Sequence, residues 1–354
     1  MAVGRVLLTA AAGVVAGFAV ERAVVRGRLV PPGPSHVGDL TAVEVDGTRR
    51  TVHGPGGVEV AVEVFGPDRP GTPQLVLSHG WLCTGRVWHE QIDRLADRVR
   101  IITYDQPLHG GSSPPHDGEV TLDLLGDVLA TVVREVAAPG PVVLAGHSLG
   151  GMSVLNALRR HPDVADRTTG VVLVSTASSA KGRPRRLELG IRRAAQLRGV
   201  VRKLNPWLRR SSVLRAVDRL VAHPSDLTFL IARGSQGERF DPHVAAHGHE
   251  MFFASSSDAL FGPLPALLGL DEDAGLAIAA RRPLTLVVGT EDRLTPESLT
   301  HRMARRTGAE LVVLDGVGHV ALVEAPEEVA GVLARHLGVQ LGPRPRRGVH
   351  GEVA

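Results

Sequence analysis

The sequence predicts an α/β protein in which a mostly parallel central sheet carries helices on both faces. Two patterns support this fold class: short apolar segments recur along the chain, and segments with helical spacing lie between them. The chain has 354 residues, of which 43% are hydrophobic and 22% are charged. These values are typical of a globular protein with a large core, and they exclude disordered, coiled-coil and collagen-like chains.

The predicted strands are short and, with one exception, almost continuously apolar. Residues 58–65 alternate between apolar and polar side chains, which is typical of a strand with one solvated face. The other six segments are rich in Val, Leu and Ile and fit strands buried on both faces of a parallel sheet. They are 74–78, 99–104, 141–145, 170–175, 284–288 and 311–314.

Helices are predicted in the intervals between these strands. The helical segments are 86–97, 122–136, 149–160, 296–306 and 326–336. Pro296 and Pro326 favour helix starts, because the first helical turn leaves its N–H groups unbonded and proline has none. The alternation of strands and helices predicts that helices cover both faces of the sheet.

Residues 178–275 interrupt this alternation, since they contain no clear strand pattern. Apolar residues spaced three and four apart in 184–204 indicate an amphipathic helix. From 181 to 220 the chain has 13 Lys and Arg residues against two acidic residues. We interpret 178–275 as a helical lid above the sheet. Its basic helix either packs its apolar stripe on the core or lies against an anionic membrane surface.

The N-terminal region contains an uncharged stretch at residues 6–20. As a helix it would be roughly 22 Å long, short of the roughly 30 Å of a bilayer core. Three interpretations compete: a short membrane anchor, a signal peptide, and a helix packed on the protein. The anchor is favoured, and Arg22, Arg26 and Arg28 then predict a cytoplasmic catalytic domain. A signal peptide would instead predict an exported protein.

The predicted organisation therefore has five parts. They are an N-terminal hydrophobic segment with a Pro-rich linker (1–38), the first part of the core (39–177), the helical lid (178–275), the second part of the core (276–338) and a disordered basic tail (339–354).

Composition excludes several classes of function. Aromatic residues make up 3% and the net charge is +3, so no nucleic-acid partner is expected. The single cysteine, Cys83, excludes an internal disulfide and a Cys-rich zinc module, and we interpret it as a packing residue. His243, His247 and His249 lie close in sequence without a carboxylate-rich motif nearby, so no metal is expected.

The motif Gly146-His147-Ser148-Leu149-Gly150 follows a predicted strand and precedes a predicted helix. A serine on a sharp strand-to-helix turn needs small neighbours, because its backbone is strained and closely packed. Gly146 and Gly150 supply them, and the helix that follows directs its first amides at the serine. The alternative is a plain glycine-rich turn. We interpret His147, at the variable position of the motif, as structural.

A serine hydroxyl is a weak nucleophile without a base, so a histidine and an acid are required. His319 follows the last predicted strand, and Asp292 follows the strand before it. Both therefore lie at the edge of the sheet where ligand sites of open α/β folds form. Glu291 is the alternative acid, but the spacing to Pro296 favours Asp292.

From about residue 58 to 336 the chain resembles the α/β-hydrolase fold family, most closely its serine esterase and lipase branch. The resemblance rests on the elbow motif in its strand-to-helix context and on the order serine, acid, histidine. It implies that Ser148 is the nucleophile, Asp292 the orienting acid and His319 the general base.

The same resemblance assigns an oxyanion loop to His79-Gly80-Trp81, which follows a predicted strand. In the family this loop and the elbow each direct one backbone N–H at the developing negative charge. The two donors here would be the N–H groups of Trp81 and Leu149.

The sequence departs from the family at one place. The family often carries D-x-R-G-x-G-x-S after an early strand, whereas Pro107 and Leu108 here replace the Arg and Gly. The departure concerns the shape of the loop beside the elbow and leaves the triad intact. The insertion at 178–275 matches the lid of the family in position.

We expect a serine hydrolase that cleaves a carboxylic ester, small or lipid-like, through an acyl-enzyme and without a cofactor. The same triad serves thioester hydrolysis, acyl transfer, C–C bond hydrolysis and perhydrolase chemistry, and the sequence leaves these alternatives open. A catalytically inactive binding protein on the same fold is the rival of a different class. Acyl chain length and oligomeric state are not encoded in any motif.

Overall fold

A computed structural model of the chain describes residues 45–117, 119–186, 188–193, 196, 236–238, 258–259 and 262–341. The strands are β1 (Thr48–His53), β2 (Glu59–Phe65), β3 (Gln74–Ser78), β4 (Arg100–Tyr104), β5 (Val142–His147), β6 (Thr168–Val174), β7 (Leu284–Gly289) and β8 (Glu310–Leu314). The α-helices are α1 (His89–Leu95), α2 (Leu122–Val136), α3 (Leu149–Arg160), α4 (Pro162–Arg167), α5 (Leu264–Leu268), α6 (Asp273–Ala279), α7 (Glu297–Thr307), α8 (Ala321–Glu324) and α9 (Pro326–Leu337). Short 3-10 helices lie at Pro55–Gly57 and Gly85–Trp88.

All eight strands form one sheet in the order β1-β2-β4-β3-β5-β6-β7-β8. The pairs β1–β2 and β2–β4 are antiparallel, and every other pair is parallel. The predicted α/β fold class is thereby confirmed. Because β3 to β8 run in one direction, their carboxyl ends meet at a single edge of the sheet, where loops from distant parts of the chain come together.

The central strands are apolar throughout because both of their faces are covered. In β5, Leu144 packs into the core that α2 and α3 form on one side of the sheet. Its neighbours Val143 and Ala145 point to the opposite face and pack into the core that includes α1 and α9. Successive side chains of a strand alternate between faces, so a strand with helices on both sides is continuously apolar.

The predicted helices 122–136 and 149–160 agree with α2 and α3 at both ends, and a capping residue marks the start of α2. Thr121 precedes α2, and its Oγ1 accepts a hydrogen bond from the N–H of Leu124 at 3.1 Å. Such a cap satisfies one of the N–H groups that a helix start leaves unbonded, and it contributes about 1 kcal/mol. The observed helix begins and ends at the predicted residues.

Other elements differ from the prediction. Strand β1 was not predicted, because it lies at the edge of the sheet and only Val52 of its six residues is buried. The helix predicted at 86–97 is divided into the 3-10 helix Gly85–Trp88 and α1. The helices α4 and α6 have six and seven residues, too few for a clear helical period in the sequence.

The two ends of the 178–275 insertion lie side by side on the core. The N–H of Ala180 donates to the carbonyl of Leu270 at 2.9 Å, and the N–H of Glu272 donates to the carbonyl of Ser178 at 2.6 Å. The chain therefore leaves the core and returns to it at one place, beside the carboxyl end of β6.

Most of the predicted lid, together with residues 1–44 and 342–354, lies outside the described residues. The proposed anchor, the greater part of the basic lid helix predicted at 184–204 and most of the tail fall in these ranges. Residues 185–186, 188–193 and 196 of that predicted helix are described and are helical. Within the described part of the chain, no helix combines the length and the apolar character that crossing a bilayer would demand.

Candidate active site

Ser148 stands alone between β5, which ends at His147, and α3, which begins at Leu149. Its backbone has φ 51° and ψ −118°, a conformation that side chains larger than glycine rarely adopt. The surrounding structure enforces this turn: the N–H of Ser148 donates to Val174 at 2.9 Å, and Thr176 Oγ1 donates to the Ser148 carbonyl at 2.6 Å.

The two glycines of the motif are required by close backbone packing. A Cβ at Gly146 would lie 2.5 Å from the carbonyl oxygen of Gly150. A Cβ at Gly150 would overlap the carbonyl oxygen of Ser78 in the neighbouring strand. The elbow therefore packs directly on the sheet, and Ser148 is held at its carboxyl edge.

His319 reaches the serine from the loop after β8. Its Nε2 lies 3.0 Å from Ser148 Oγ, and its Nδ1 lies 2.9 and 3.0 Å from the two carboxylate oxygens of Asp292. An ionised carboxylate only accepts, so Nδ1 carries a proton and Nε2 is free to accept the serine O–H. The three predicted residues thus form one continuous hydrogen-bonded chain.

Asp292 is buried in the loop after β7 and is bound by several donors. It accepts the N–H of Leu294 at 2.9 Å, and the N–H and Oγ1–H of Thr295 at 2.8 and 2.7 Å. Burial acts to raise the pKa of this carboxyl, but the interactions with His319 and Thr295 outweigh burial and leave the pKa below its usual value. Asp292 is therefore ionised at neutral pH and holds the His319 ring in one tautomer.

The side chain of Glu291, the alternative acid, is not among the hydrogen-bond partners of the histidine ring. Its backbone N–H donates to the carbonyl of Val317 at 2.9 Å, whereas its side chain makes no hydrogen bond to His319. The carboxylate that faces His319 is that of Asp292, the residue favoured by the sequence.

The loop His79-Gly80-Trp81 lies against the elbow. A Cβ at Gly80 would stand 2.7 Å from His147 Nδ1 and 3.2 Å from Ser148 Cβ, so glycine permits this close approach. The backbone N–H groups of Trp81 and Leu149 have no hydrogen-bond acceptor among the residues that the structure describes. Both are therefore available to an oxygen atom bound beside Ser148.

Two buried histidines hold this loop in place. His79 Nε2 accepts the N–H of Gln106 at 2.8 Å, and His109 Nε2 accepts the N–H of Leu82 at 3.1 Å. Burial lowers the pKa of His79 to about 4 and that of His109 to about 3. Both rings are therefore neutral, as acceptors of an N–H must be.

The structure shows how the loop accommodates Pro107 and Leu108 in place of the Arg and Gly of the family. Leu108 has φ 74°, the left-handed region in which the glycine usual at this position is unstrained. Its side chain packs against the apolar cluster that contains Leu149 and Met152, which compensates for the strain. The loop still closes, because Asp105 accepts the N–H groups of Gly85 and Gly111.

Cys83 makes no chemical contribution to this site. Cys83 is buried, and burial raises the pKa of its thiol to about 12, so it is not a nucleophile. His243, His247 and His249 lie outside the described residues. In the described ranges, no group of three His, Cys, Asp or Glu side chains is arranged to hold a metal ion.

The sequence analysis missed three residues that hold the site in place: Thr176, Thr295 and His109. Thr295 was within reach of the sequence, because an Asp in a loop commonly accepts backbone N–H groups a few residues further on. The other two act across loops that are distant in sequence, and no local pattern marks them.

Comparison with known proteins identifies the family and the fold. Residues 75–332, more than half of the chain, match the family described as Alpha/beta hydrolase family. RutD of Rhizobium rhizogenes, named as a proposed carbamate hydrolase, is 31% identical over 285 residues, which are 78% of this chain and 96% of that protein. The pimeloyl-(acyl-carrier protein) methyl ester esterase of Xanthomonas campestris pv. campestris is 29% identical over 270 residues, 74% of this chain and 94% of the esterase.

A solved structure shares the architecture. A thermophilic esterase from Thermogutta terrifontis superposes with a TM-score of 0.64 at 22% sequence identity, covering 82% of this chain and 98% of the esterase. At this identity the similarity establishes the fold alone.

Proposed function

This chain belongs to the alpha/beta hydrolase family and is a hydrolase. We propose that it cleaves a carboxylic ester and that Ser148, His319 and Asp292 carry out the reaction. The single observation that carries the proposal is the hydrogen-bonded chain from Ser148 Oγ through His319 to the buried Asp292 carboxylate. A serine, a neutral imidazole and an ionised acid in this arrangement are suited to nucleophilic attack on a carbonyl carbon.

In the first half-reaction Ser148 Oγ attacks the ester carbonyl and His319 Nε2 takes the serine proton. The imidazolium that forms is stabilised by Asp292, which is already ionised and hydrogen-bonded to Nδ1. The tetrahedral intermediate expels the alcohol, which leaves with the proton that His319 returns. The product of this step is Ser148 acylated on Oγ.

The negative charge on the carbonyl oxygen is met by backbone donors. The N–H groups of Trp81 and Leu149 are uncommitted to other acceptors in the described part of the chain and flank Ser148. Leu149 is also the first residue of α3, so the helix dipole adds to the favourable field. Each such donor typically contributes about 10²–10³ to the rate.

In the second half-reaction the same residues act, with water in place of the alcohol. His319 Nε2 removes a proton from water, the hydroxide attacks the acyl carbon, and Ser148 Oγ is released with the returned proton. The carboxylic acid is the second product, and no cofactor enters the balance.

An ester with an apolar acyl or alkyl group is the substrate that the surroundings favour. Leu149 and Met152 belong to a buried apolar cluster at the elbow, against which Trp81 packs. The methyl ester named for one relative and the carbamate named for another share a carbonyl bonded to oxygen.

A fluorophosphonate probe with a matched ester panel tests the proposal. We expect stoichiometric labelling of Ser148, hydrolysis of p-nitrophenyl acetate through hexanoate, and loss of both in Ser148→Ala. The control is Ser298→Ala, which changes an exposed serine of α7 and is expected to keep both. Labelling that persists in Ser148→Ala would reject the nucleophile. Faster turnover of a thioester or an amide than of the matched ester would reject the substrate class.

We also propose that residues 6–20 attach the protein to a membrane. The support is the uncharged stretch followed by Arg22, Arg26 and Arg28. Fractionation of the full chain beside a variant lacking residues 1–38 is the test. We expect the full chain in the membrane pellet and the shortened chain in the supernatant. A mature chain shortened at its N-terminus and found outside the cell would establish export instead.

A further inference from the structure

Glu324 is a buried carboxylate close to the proposed base. It ends α8, five residues after His319, and is 8% exposed. A carboxylate removed from water needs several donors or a cation, because its desolvation is otherwise strongly unfavourable. In the residues that the structure describes, no Lys or Arg pairs with it, so its partners must be sought in the backbone.

Two of its partners are the backbone N–H groups of the residues on either side of His319. Glu324 Oε2 accepts the N–H of Gly318 at 2.8 Å, and Oε1 accepts the N–H of Val320 at 3.1 Å. The Glu324 carboxylate thus holds the backbone on both sides of His319 and limits the movement of this loop. The direction in which the His319 side chain leaves the backbone follows from these two bonds.

The third partner comes from the 178–275 insertion. Glu324 Oε2 also accepts the N–H of Gly237 at 2.8 Å. A Cβ at Gly237 would overlap the carbonyl oxygen of Gly316 and stand 2.5 Å from the nitrogen of Gly318. Residues 236–238 therefore rest directly on the backbone of the histidine loop, at a distance that only glycine allows.

We propose that Glu324 is a positioning residue that ties the His319 loop to residues 236–238, so that the alignment of the base depends on that part of the insertion. The inference rests on the proposed function, because it assigns a partner to the histidine that acts on Ser148.

The shared oxygen explains why the two contacts are coupled. Gly318 and Gly237 donate to the same atom, Oε2, and burial raises the pKa of Glu324 against the opposing effect of its amide donors. Loss of either donor leaves a buried carboxylate less well solvated, and the side chain then moves toward other donors. Movement of Glu324 displaces the backbone on both sides of His319.

The principal test is Glu324→Gln, which keeps size and removes one acceptor. With the NH₂ group at the Oε1 position one contact becomes repulsive, and with it at the Oε2 position two do, because Oε2 accepts two N–H groups. We expect the turnover number per probe-titrated active site to fall roughly 10- to 100-fold while KM changes little. The matched control is Asp315→Asn, an exposed carboxylate on the same loop, with unchanged turnover.

A second variant alters the partner of Glu324 in the insertion, Gly237. Gly237→Ala is expected to slow both turnover and phosphonylation of Ser148, and its effect should not add to that of Glu324→Gln, since both break one contact. A structural role alone would lower the melting temperature and leave turnover per titrated site unchanged, which would overturn the proposal. Additive effects would overturn the coupling. If instead the unmodified protein neither labels nor hydrolyses esters, the proposed function fails, independently of Glu324.

Discussion

His147 donates its Nε2–H to the backbone carbonyl oxygen of His319 at 2.9 Å. A carbonyl only accepts, so His147 carries its proton on Nε2. Burial and the neighbouring His319 lower the pKa of His147 to about 3, and the ring is neutral at every pH at which the protein would act. His147, the residue before Ser148, therefore restrains the backbone of His319 and adds no charge to the site.

The first prediction concerns the loss of the His147 donor. His147→Phe keeps an aromatic ring but leaves the His319 carbonyl without its partner, so the histidine loop loses one of its restraints. We expect ester turnover to fall roughly tenfold, with slower phosphonylation of Ser148. The control is His53→Phe at an exposed position of β1. Turnover equal to that of the unmodified protein would show that the carbonyl contact has no part in alignment.

The second prediction separates the two neighbouring acids. Asp292→Asn removes the charge that holds the His319 tautomer, and we expect turnover to fall roughly 10³- to 10⁴-fold with the fold intact. Glu291→Gln, the adjacent carboxylate that does not contact the ring, should leave turnover within about twofold. The measurement is kcat at pH 8, with circular dichroism as the check on folding. A reversed order of the two effects would assign the acid to Glu291.

The third prediction concerns the oxyanion loop. In Gly80→Ala the new methyl group would meet His147 Nδ1 at 2.7 Å and Ser148 Cβ at 3.2 Å, so the loop must move away from the serine. We expect turnover to fall roughly 10²-fold and unfolding free energy to fall by about 1–3 kcal/mol.

The control for this substitution is Gly331→Ala. Gly331 lies within α9, and a Cβ there meets no atom within 4 Å. Alanine is the better helix former, so the variant should gain about 0.5–1 kcal/mol and keep full activity. Both free energies are read from urea unfolding. A Gly80→Ala protein as active as the control would place the oxyanion donors elsewhere.

The fourth prediction is a loss of stability in mild acid. In the folded protein the pKa values of His79, His109 and His147 lie at about 4, 3 and 3, whereas the unfolded chain titrates near the ordinary value of 6.5. Above pH 6.5 all three are neutral in both states. As the pH falls below 6.5 only the unfolded state gains their protons, so the folded state is progressively destabilised.

Each of these histidines adds a slope of up to about 1.4 kcal/mol per pH unit. Urea unfolding at pH 7.5, 6.5 and 5.5 measures the sum. His109→Gln should lower the slope of the unfolding free energy against pH by up to about 1.4 kcal/mol per pH unit relative to the unmodified protein. A slope equal to that of the unmodified protein would contradict the assignment of His109 as a neutral buried ring.

Much of the fold was predictable, because a strand that is buried on both faces of the sheet has a continuous run of apolar residues in the sequence. Leu144 and its neighbours in β5 must be apolar in succession, so the central strands were found almost residue by residue. Strand β1 carries no such signature, since its side chains are exposed and only its backbone pairs with β2. Backbone pairing at an edge imposes few constraints on side chains.

The meeting of Ser148, Asp292 and His319 was predictable because parallel strands bring their carboxyl ends to one edge. The residues that hold these three side chains in place were not predictable, because they do not lie at the ends of strands. Glu324 acts by reaching Gly318 and Gly237 across loops, and the reach of a side chain depends on loop conformations that sequence periodicity does not encode.

The order of the strands also governs when activity can arise during synthesis. Ser148 and His319 are 171 positions apart, and both Asp292 and His319 follow strands that pair only after the insertion has been made. A nascent chain on the ribosome therefore carries Ser148 without its proposed base until synthesis has passed His319. Under the proposed function, we expect products of premature termination before His319 to be hydrolytically silent.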